Sequence, residues 1–209
     1  MSLIIAIDGP AAAGKGTLAR RLAAHFGLPH LDTGLLYRAT CRRVLDAHCD
    51  PADRDTAAAA ARALRPEDLQ RSDLRGPEAD AAAAAVAAIP AVRAALLDFQ
   101  RRFGRAGGAV LDGRDIGTIV FPEATAKLFV TASAEARGRR RWLELQARGG
   151  AADLDAVTRQ IRERDAQDAA RAAAPLRQAA DALLLDTTEL DADATFARAL
   201  ALLSSKVST

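Results

Sequence analysis

One segment near the amino terminus limits the possible folds more than any other feature of this sequence. An apolar run over residues 4–7 leads into a loop bounded by Gly9 and Gly14, and Lys15 follows at the start of a helix-forming stretch. A strand, a glycine-bounded loop and a helix in this order bind nucleotide phosphates. Backbone N–H groups of such a loop point at phosphate oxygens, and the helix dipole adds to the attraction. The segment therefore predicts an α/β protein that binds ATP or GTP.

The residues of this loop are predicted to bind different parts of the nucleotide and its metal ion. Gly9 and Gly14 let the backbone wrap around the phosphates, and Lys15 bridges the outer ones. Thr17 supplies a hydroxyl ligand for Mg²⁺. The predicted nucleotide-binding residues are Gly9, Pro10, Ala11, Ala12, Ala13, Gly14, Lys15, Gly16 and Thr17. The strict motif has Ser or Thr directly after the lysine, and the intervening Gly16 is a variant common in small nucleotide kinases. The alternative is a glycine-rich turn that binds no ligand.

The lysine of the loop stands out against the composition of the chain. Of the 29 Lys and Arg residues, the lysines are Lys15, Lys127 and Lys206. A compact ammonium group enters a tight, phosphate-filled loop where a planar guanidinium would collide. The retention of lysine at position 15 therefore favours phosphate binding.

The composition favours a single globular domain over residues 1–209. The chain is 50% hydrophobic with a formal net charge of +2. This mild, dispersed charge argues against a nucleic-acid partner, and the alanine-rich apolar stretches are too interrupted by charge for a membrane span. Met1 and Ser2 show no leader pattern, and Cys41 and Cys49 lack a metal-type spacing. We expect a cytoplasmic monomer with small-molecule partners and no nucleic-acid or membrane partner.

Strand-like and helix-like segments alternate along the chain. The predicted strands cover residues 3–8, 29–31, 109–112, 127–131 and 183–186. The predicted helices cover residues 14–26, 35–47, 57–64, 78–88, 91–103, 134–148, 154–173 and 193–203. Such alternation predicts a five-stranded parallel sheet with helices on both faces.

Two regions are predicted to be mobile additions to this core. Ligands bind beyond the carboxyl ends of parallel strands, so segments that flank this edge can close over a ligand. The predicted core comprises residues 1–49, 90–136 and 156–209. A flap over about 50–89 and a short, arginine-rich lid over about 137–155 complete the predicted organisation.

Polar residues after the second and third predicted strands are candidates for the wall of a cleft opposite the phosphate loop. Thr33, Tyr37 and Arg38 follow the second strand; the alternative is that Asp32 or Thr33 caps the next helix and Tyr37 packs on it. The third strand ends in Asp112-Gly113-Arg114-Asp115. There Asp112 is placed to hold Mg²⁺ through water, Arg114 to bind a phosphate and Asp115 to accept from an exocyclic amine. A salt-bridged turn is the alternative.

Two arginine-rich helical stretches add further candidates. Arg164, Asp168 and Arg171 are spaced four and three residues apart and share one helical stripe, able to bind an anion and a hydroxyl together. In the predicted lid, Arg137, Arg140 and Arg141 share one face and can approach a transferring phosphate. Solvated ion pairs and a solvated basic helix are the alternatives.

Taken together, these motifs give the chain a family resemblance over nearly its whole length. The most selective is the run from Asp112 to Pro122, DGRDIGTIVFP, joined by the phosphate loop, Asp32-Thr33-Gly34, Arg162-Glu163-Arg164-Asp165 and Ala174-Pro175-Leu176. The chain resembles the cytidylate kinase family, whose members phosphorylate CMP and dCMP with ATP in bacteria. The resemblance implies a P-loop nucleoside monophosphate kinase fold with an acceptor-binding flap and a short lid.

The resemblance also implies a role for individual residues. Arg38, Arg114 and Arg171 are expected to bind the acceptor phosphate, Arg93 and Asp115 the cytosine edge, and Arg164 with Asp168 the sugar. Thr33 and Tyr37 complete the expected acceptor site. The expected catalytic residues are Lys15, Arg114, Arg137 and Arg141, and the expected ligands of Mg²⁺, which accompanies ATP, are Thr17 and Asp112.

The chain departs from the family pattern at two places. Ala84 stands where the family often has a Ser that helps to hold cytosine, and residues 64–80 form a shorter flap segment than in many relatives. Because of this difference, the family pattern does not predict how the chain discriminates between ribose and deoxyribose. Alternative functions are a kinase of the same architecture that acts on AMP, UMP or shikimate, and an ATP-binding regulator without turnover.

Overall fold

A parallel sheet organises the computed structural model, which describes residues 2–74, 83–171 and 174–207. The strands of this described part are β1 (Ile4–Asp8), β2 (His30–Asp32), β3 (Ala109–Gly113), β4 (Ala126–Thr131) and β5 (Leu183–Asp186). They form one five-stranded sheet in the order β2-β3-β1-β4-β5. β1 pairs in parallel with β3 and β4, and β4 pairs in parallel with β5. The predicted sheet is confirmed, with each strand within one residue of its predicted bounds.

Helices connect the strands, as crossovers between parallel strands require. They are α1 (Lys15–Phe26), α2 (Thr33–Asp46), α3 (Arg54–Arg62), α4 (Pro90–Arg105), α5 (Ala134–Ala147), α6 (Leu154–Ala170) and α7 (Ala192–Leu203). Residues 83–87 are also helical; the rest of the helix predicted over 78–88 lies largely outside the described residues. The helix predicted to reach residue 173 ends at Ala170, and residues 172–173 lie outside the described part.

The chain divides into two compact units. The first comprises Met1–His30 and Gly107–Thr209. All five residues of β1 are buried, as expected for the central strand of a parallel sheet covered on both faces. Its core joins Ile5 and Ile7 to Leu18 and Leu22 of α1 and to Leu203 of α7. The apolar run of the first strand is thus the centre of this unit, and the phosphate loop begins where that strand ends.

The second unit comprises Leu31–Ala106. Here α3 packs against both α2 and α4, and Leu36, Val92 and Leu96 are fully buried. Two short 3-10 turns, Pro66–Gln70 and Ser72–Leu74, follow α3, in a stretch for which neither a helix nor a strand was predicted. The proposed core, flap and lid boundaries remain predictions.

The starts of four helices show why the sequence forms them where it does. The side chains of Asp53, Ser133, Asp153 and Asp191 each accept a hydrogen bond from the backbone N–H three residues later. Each such cap satisfies a donor that the first turn leaves without a partner, and is worth about 1 kcal/mol. Of the helices that the structure describes, none has the length and apolar character needed to cross a membrane.

Candidate phosphoryl-transfer site

The phosphate loop is shaped by two glycines with positive φ. Gly9 has φ of 148°, and a Cβ built on it would overlap the carbonyl oxygen of Val130 in β4. Gly14 has φ of 88° and occupies the N-cap of α1. Residues with a Cβ rarely adopt such angles, so both glycines are required by the path of the loop. Ala12 also has a positive φ, 59°, which shows how tightly this loop is wound.

The side chain of Lys15 folds back over the loop. Its Nζ donates a 2.6 Å hydrogen bond to the carbonyl oxygen of Pro10, and the residue is buried. The ammonium group therefore lies within the curve of the loop, where the outer phosphates of a nucleotide are bound in this motif. Its contact with those phosphates stays a prediction.

Of the two predicted magnesium ligands, Thr17 lies in the first turn of α1 and Asp112 lies beside that turn. A Cβ built on Gly16 would lie 3.8 Å from Oδ2 of Asp112, and Thr17 is exposed in the same turn. The other carboxylate oxygen, Oδ1, is 2.6 Å from Nε2 of His30. Sequence reasoning missed His30 because this contact joins β2 to β3.

This donor set suits Mg²⁺ held mainly by a nucleotide. Hydroxyl and carboxylate oxygens are ligands that Mg²⁺ prefers, and the ion usually keeps several waters and binds substrate phosphates. Among the described residues, no group of three or more His, Cys, Asp or Glu side chains could hold a metal ion. The residues present therefore fit one or two protein contacts to a nucleotide-bound ion.

Asp168 is the centre of a buried cluster of charges. Nε of Arg114 donates to Oδ2 of Asp168 at 2.8 Å, and Nη2 of Arg171 lies 2.6 Å from Oδ1. Burial raises the pKa of the Asp168 carboxyl, but Arg114, Arg171 and Arg164 outweigh burial and hold the pKa below its ordinary value. The structure thus brings together four residues predicted from two separate motifs. Arg171 reaches Asp168 from just beyond the end of α6, where the backbone becomes extended.

Arg137 of the predicted lid is buried against the phosphate loop. Its Nη1 donates to the carbonyl oxygen of Ala11 at 3.3 Å, and its two terminal nitrogens make a bidentate pair with Asp165 at 2.9 and 2.6 Å. Its Nε donates to the carbonyl oxygen of Ala132. A guanidinium in this position is close to the loop, but it is held by α6 rather than displayed on a solvated face.

The other lid arginines have different partners. Arg140 donates to Oγ1 of Thr187 at 2.9 Å and to the carbonyl oxygens of Thr187 and Leu190. Oγ1 of Thr187 in turn lies 3.0 Å from the carbonyl oxygen of Thr131 and 3.3 Å from that of Ala13 in the phosphate loop. Arg141 donates to Glu144, one helical turn further along α5, at 2.9 Å. Arg140 therefore holds Thr187, whose side chain contacts the phosphate loop, a role that sequence reasoning did not assign.

Four of the acceptor-site candidates, Thr33, Tyr37, Arg38 and Arg93, belong to the second unit. Thr33 is buried at the first position of α2. The guanidinium carbon of Arg93 lies 5.7 Å from the centre of the Tyr37 ring, within cation–π range. Arg38 lies near Gly34, as a Cβ built on that glycine would be 3.9 Å from Nη1 of Arg38. Asp32 occupies the N-cap of α2 without capping it by a side-chain hydrogen bond, so capping does not explain this residue.

Asp8 is a buried acid at the end of β1 for which sequence reasoning gave no role. Its two carboxylate oxygens accept from the N–H groups of Ile116 and Gly117 at 2.8 and 2.7 Å. Burial raises the pKa of Asp8 to about 6 against the opposing effect of these two hydrogen bonds. Asp115, which is also buried, adds to the rise, and Lys15 opposes it. No local pattern signals these contacts, because the bonded residues are 108 and 109 positions apart.

The sheet, the loop and the basic residues beside it define a class of protein. A central parallel strand that runs into a glycine-bounded loop, with Lys and Thr in the next helical turn, is the P-loop fold of nucleotide-dependent kinases. Similar solved structures agree with this fold. An uncharacterized Eubacterium ventriosum protein aligns with a TM-score of 0.59 at 14% identity over 98% of this chain and 99% of its own. A Thermus thermophilus protein aligns with a TM-score of 0.53 at 22% identity over 100% and 99%.

Within this class, the chain belongs to the cytidylate kinase family. The model of that family, described as cytidylate kinase, matches residues 5–205. A cytidylate kinase of Granulibacter bethesdensis is 67% identical over 95% of this chain and 95% of its own length. A cytidylate kinase of Methylocella silvestris is 62% identical over 97% and 94%. The resemblance seen in the motifs is confirmed, and the chain is a kinase.

Proposed function

We propose that this chain transfers the γ-phosphoryl group of ATP to CMP or dCMP, forming ADP and CDP or dCDP in pyrimidine nucleotide metabolism. The observation that carries the proposal is the cytidylate kinase match over residues 5–205. The phosphate loop supplies a donor site, and the charge cluster around Asp168 supplies arginines for a second anion. A protein that only sensed ATP would need no second group of phosphate-binding arginines.

The donor phosphates bind in the loop from Gly9 to Thr17. Lys15 neutralises charge on the outer phosphates and aligns them for transfer. Arg137, already within 3.3 Å of the loop at Ala11, is proposed to turn from Asp165 to the transferring phosphoryl group when both substrates bind. Arg141 is the second proposed lid contact. Arginines at the transferring group are worth about 10³–10⁵ in rate.

The acceptor nucleotide is recognised by separate groups for its phosphate, base and sugar. Arg38, Arg114 and Arg171 are proposed to bind the phosphate. Asp115 accepts from the 4-amino group of cytosine and Arg93 donates to its ring acceptors, while Thr33 and Tyr37 line the site. Arg164 and Asp168 are proposed to bind the sugar hydroxyls. Uracil presents an acceptor where cytosine presents the amino group, so base choice is electrostatic.

The chemistry needs no general base on the protein. The acceptor phosphate is already an anionic nucleophile, so the protein mainly aligns two negatively charged groups and neutralises their repulsion. Mg²⁺ bound with ATP neutralises charge on the β- and γ-phosphates. Thr17 and Asp112 are proposed to hold this ion, Thr17 directly and Asp112 through water.

An acceptor panel tests the proposed reaction. With ATP and Mg²⁺, ADP formation should be fastest with CMP or dCMP and slower with UMP and AMP. Faster turnover of AMP than of CMP would contradict the base assignment, and no acceptor-dependent ADP formation would contradict phosphoryl transfer. Replacement of ATP by GTP in the same assay establishes the donor. The proposed action as a monomer in the cytoplasm is tested separately, by light scattering and by cell fractionation.

The Asp115→Asn variant sharpens the test of base recognition. Asn can donate to the uracil oxygen that Asp repels, so the ratio of CMP to UMP turnover should fall by about tenfold or more. The matched control is Glu123→Gln, which changes an exposed carboxylate eight residues after Asp115. This variant should leave the ratio unchanged. An unchanged ratio in Asp115→Asn would remove this residue from the base contact.

A further inference from the structure

Two buried charged residues without an assigned role flank the segment that carries Arg114 and Asp115. Asp8 is 5% exposed at the end of β1, and Lys127 is 6% exposed in β4. Charged groups are costly to bury even when they are paired. The neighbouring positions of both strands are mostly apolar, so side chains such as Ile or Leu would suit the sheet better. Packing alone does not explain the two charges.

Asp8 holds the first half of this segment by its backbone. The segment runs from Gly113 to Pro122 and contains a π-helical turn, Ile116–Val120. The carboxylate of Asp8 accepts from the first two N–H groups of that turn, those of Ile116 and Gly117. Asp115 directly precedes these two residues, so rigid peptide geometry transmits any displacement at Ile116 to it.

Lys127 holds the second half of the same segment. Its Nζ donates to the carbonyl oxygen of Pro122 at 2.5 Å and to Oδ1 of Asp181 at 2.9 Å. Its aliphatic stem lies under the turn, since a Cβ built on Gly117 would be 3.0 Å from Cδ of Lys127 and 3.3 Å from Oδ2 of Asp8. Gly117 therefore lies between the two charged side chains, where there is no room for a larger residue without a shift.

We propose that Asp8 and Lys127 are positioning residues that fix Arg114 and Asp115 relative to the phosphate loop. Asp8 immediately precedes Gly9, the first residue of that loop, and Lys127 lies on β4, which pairs with β1. The two side chains thus tie the proposed acceptor-binding segment to the strand that carries the donor site. In-line transfer depends on this alignment, and an error of 1 Å can cost about a hundredfold in rate.

The chemical types of the two side chains agree with this role. A carboxylate presents two acceptor oxygens, one for each N–H group, whereas an amide would present one acceptor and one NH₂ group. Asp8→Asn therefore loses one of the two hydrogen bonds and sets an NH₂ against an N–H. Lys127→Met keeps most of the stem that packs under Gly117 and loses only the ammonium contacts.

The test separates acceptor alignment from donor binding. We expect kcat/KM for the acceptor to fall by about tenfold to a hundredfold in Asp8→Asn and in Lys127→Met. The Kd for a non-hydrolysable ATP analogue, measured by calorimetry, should change by less than about threefold, because the loop glycines and Lys15 remain. Circular dichroism establishes that each variant is folded, and Lys127→Met decides the question if Asp8→Asn does not fold.

Asp181→Asn is the matched control for Lys127. The Asp181 side chain is 63% exposed, and Lys127 keeps its bond to Pro122 without it, so turnover should stay within about twofold of the unaltered chain. Acceptor kinetics within twofold in both Asp8→Asn and Lys127→Met would overturn the proposal. An equal loss of ATP-analogue binding and acceptor turnover would also overturn it, as this would indicate general damage to the sheet.

The inference rests on the proposed phosphoryl transfer, and the experiment keeps the two apart. The kinetic comparison uses whichever nucleoside monophosphate the unaltered chain phosphorylates fastest. If that nucleotide is not CMP or dCMP, the proposed acceptor is wrong but the assay still runs. The two variants should then still lower kcat/KM for the acceptor while leaving the Kd of the ATP analogue nearly unchanged.

Discussion

Asp168 accepts a hydrogen bond at 2.8 Å from Arg114, which lies 54 residues earlier in the chain. Arg171 lies on the opposite carboxylate oxygen at 2.6 Å, and the carboxylate is 1% exposed. Removal of one member of a buried ion pair leaves the remaining charges without compensation in the interior. Asp168 should therefore stabilise the first unit in addition to its proposed contact with the sugar.

We expect Asp168→Asn to lower the free energy of unfolding by about 1.5–3 kcal/mol, the usual value of hydrogen bonds to charged groups. Urea denaturation measures this change. Glu163→Gln, an exposed change on the same helix, should stay within about 0.5 kcal/mol of the unaltered chain. A comparable effect of the two substitutions would show that the charge cluster adds nothing to stability.

The two buried carboxylates should respond to pH with opposite signs. The pKa of Asp8 is raised from 3.8 to about 6, so between these values the native chain binds more protons than the unfolded chain. The contribution of Asp8 to stability is then fully present below about pH 4 and is lost as the pH rises through 6, a change of about 3 kcal/mol for two pKa units. The pKa of Asp168 is lowered, so its contribution is present above its ordinary pKa and is lost on acidification.

Unfolding free energies of the unaltered chain and Asp8→Asn between about pH 4 and pH 7 measure the first effect, and those of the unaltered chain and Asp168→Asn between about pH 2 and pH 5 measure the second. Other groups titrate alike in all three, so each difference from the unaltered chain isolates one carboxyl. From pH 4 to pH 7, the unaltered chain should lose stability relative to Asp8→Asn. A difference that does not vary over this range would show that Asp8 keeps its ordinary pKa.

Position 15 should not tolerate arginine, the commonest basic residue of this chain. Lys15→Arg keeps the charge but places a planar guanidinium in a loop that holds the ammonium 2.6 Å from Pro10, so kcat should fall by about 10²–10³-fold. Lys206→Arg makes the same change at an exposed position and should leave kcat unaltered. Comparable kcat values for both variants would mean that charge alone, and not shape, is needed at position 15.

Trp142 offers a direct optical probe of lid movement. It is the single tryptophan of the chain, and its Nε1 donates to the carbonyl oxygen of Ala152, between α5 and α6, at 2.8 Å. If both substrates close the lid, the fluorescence should change more with an ATP analogue plus CMP than with either alone. Identical responses to all three additions would argue against closure at this point.

The sequence predicted those parts of the molecule that depend on local pattern. The continuous apolar run before Gly9 predicted a buried central strand, and the positions of Gly9, Gly14 and Lys15 predicted the shape of the loop. The spacing of Asp168 and Arg171 predicted that they lie together, and they do so although the helix ends before Arg171.

Contacts between distant segments were beyond such reasoning. The hydrogen bond between His30 and Asp112 spans 82 residues, and the pair between Arg137 and Asp165 spans 28. Arg137, Arg140 and Arg141 share a face by spacing, yet the first is buried by α6 and the second is held by Thr187. Spacing along one helix gives the direction of a side chain, whereas its partner depends on how other elements pack against that helix.

The contact between Gly9 and β4 has a genetic consequence. A methyl group at position 9 would meet the carbonyl oxygen of Val130 rather than its side chain. Every amino acid carries that backbone oxygen, so no replacement at position 130 can make space for the methyl group. Selection for recovered growth in a strain that depends on a Gly9→Ala allele should therefore return true revertants at codon 9 and no suppressors within β4.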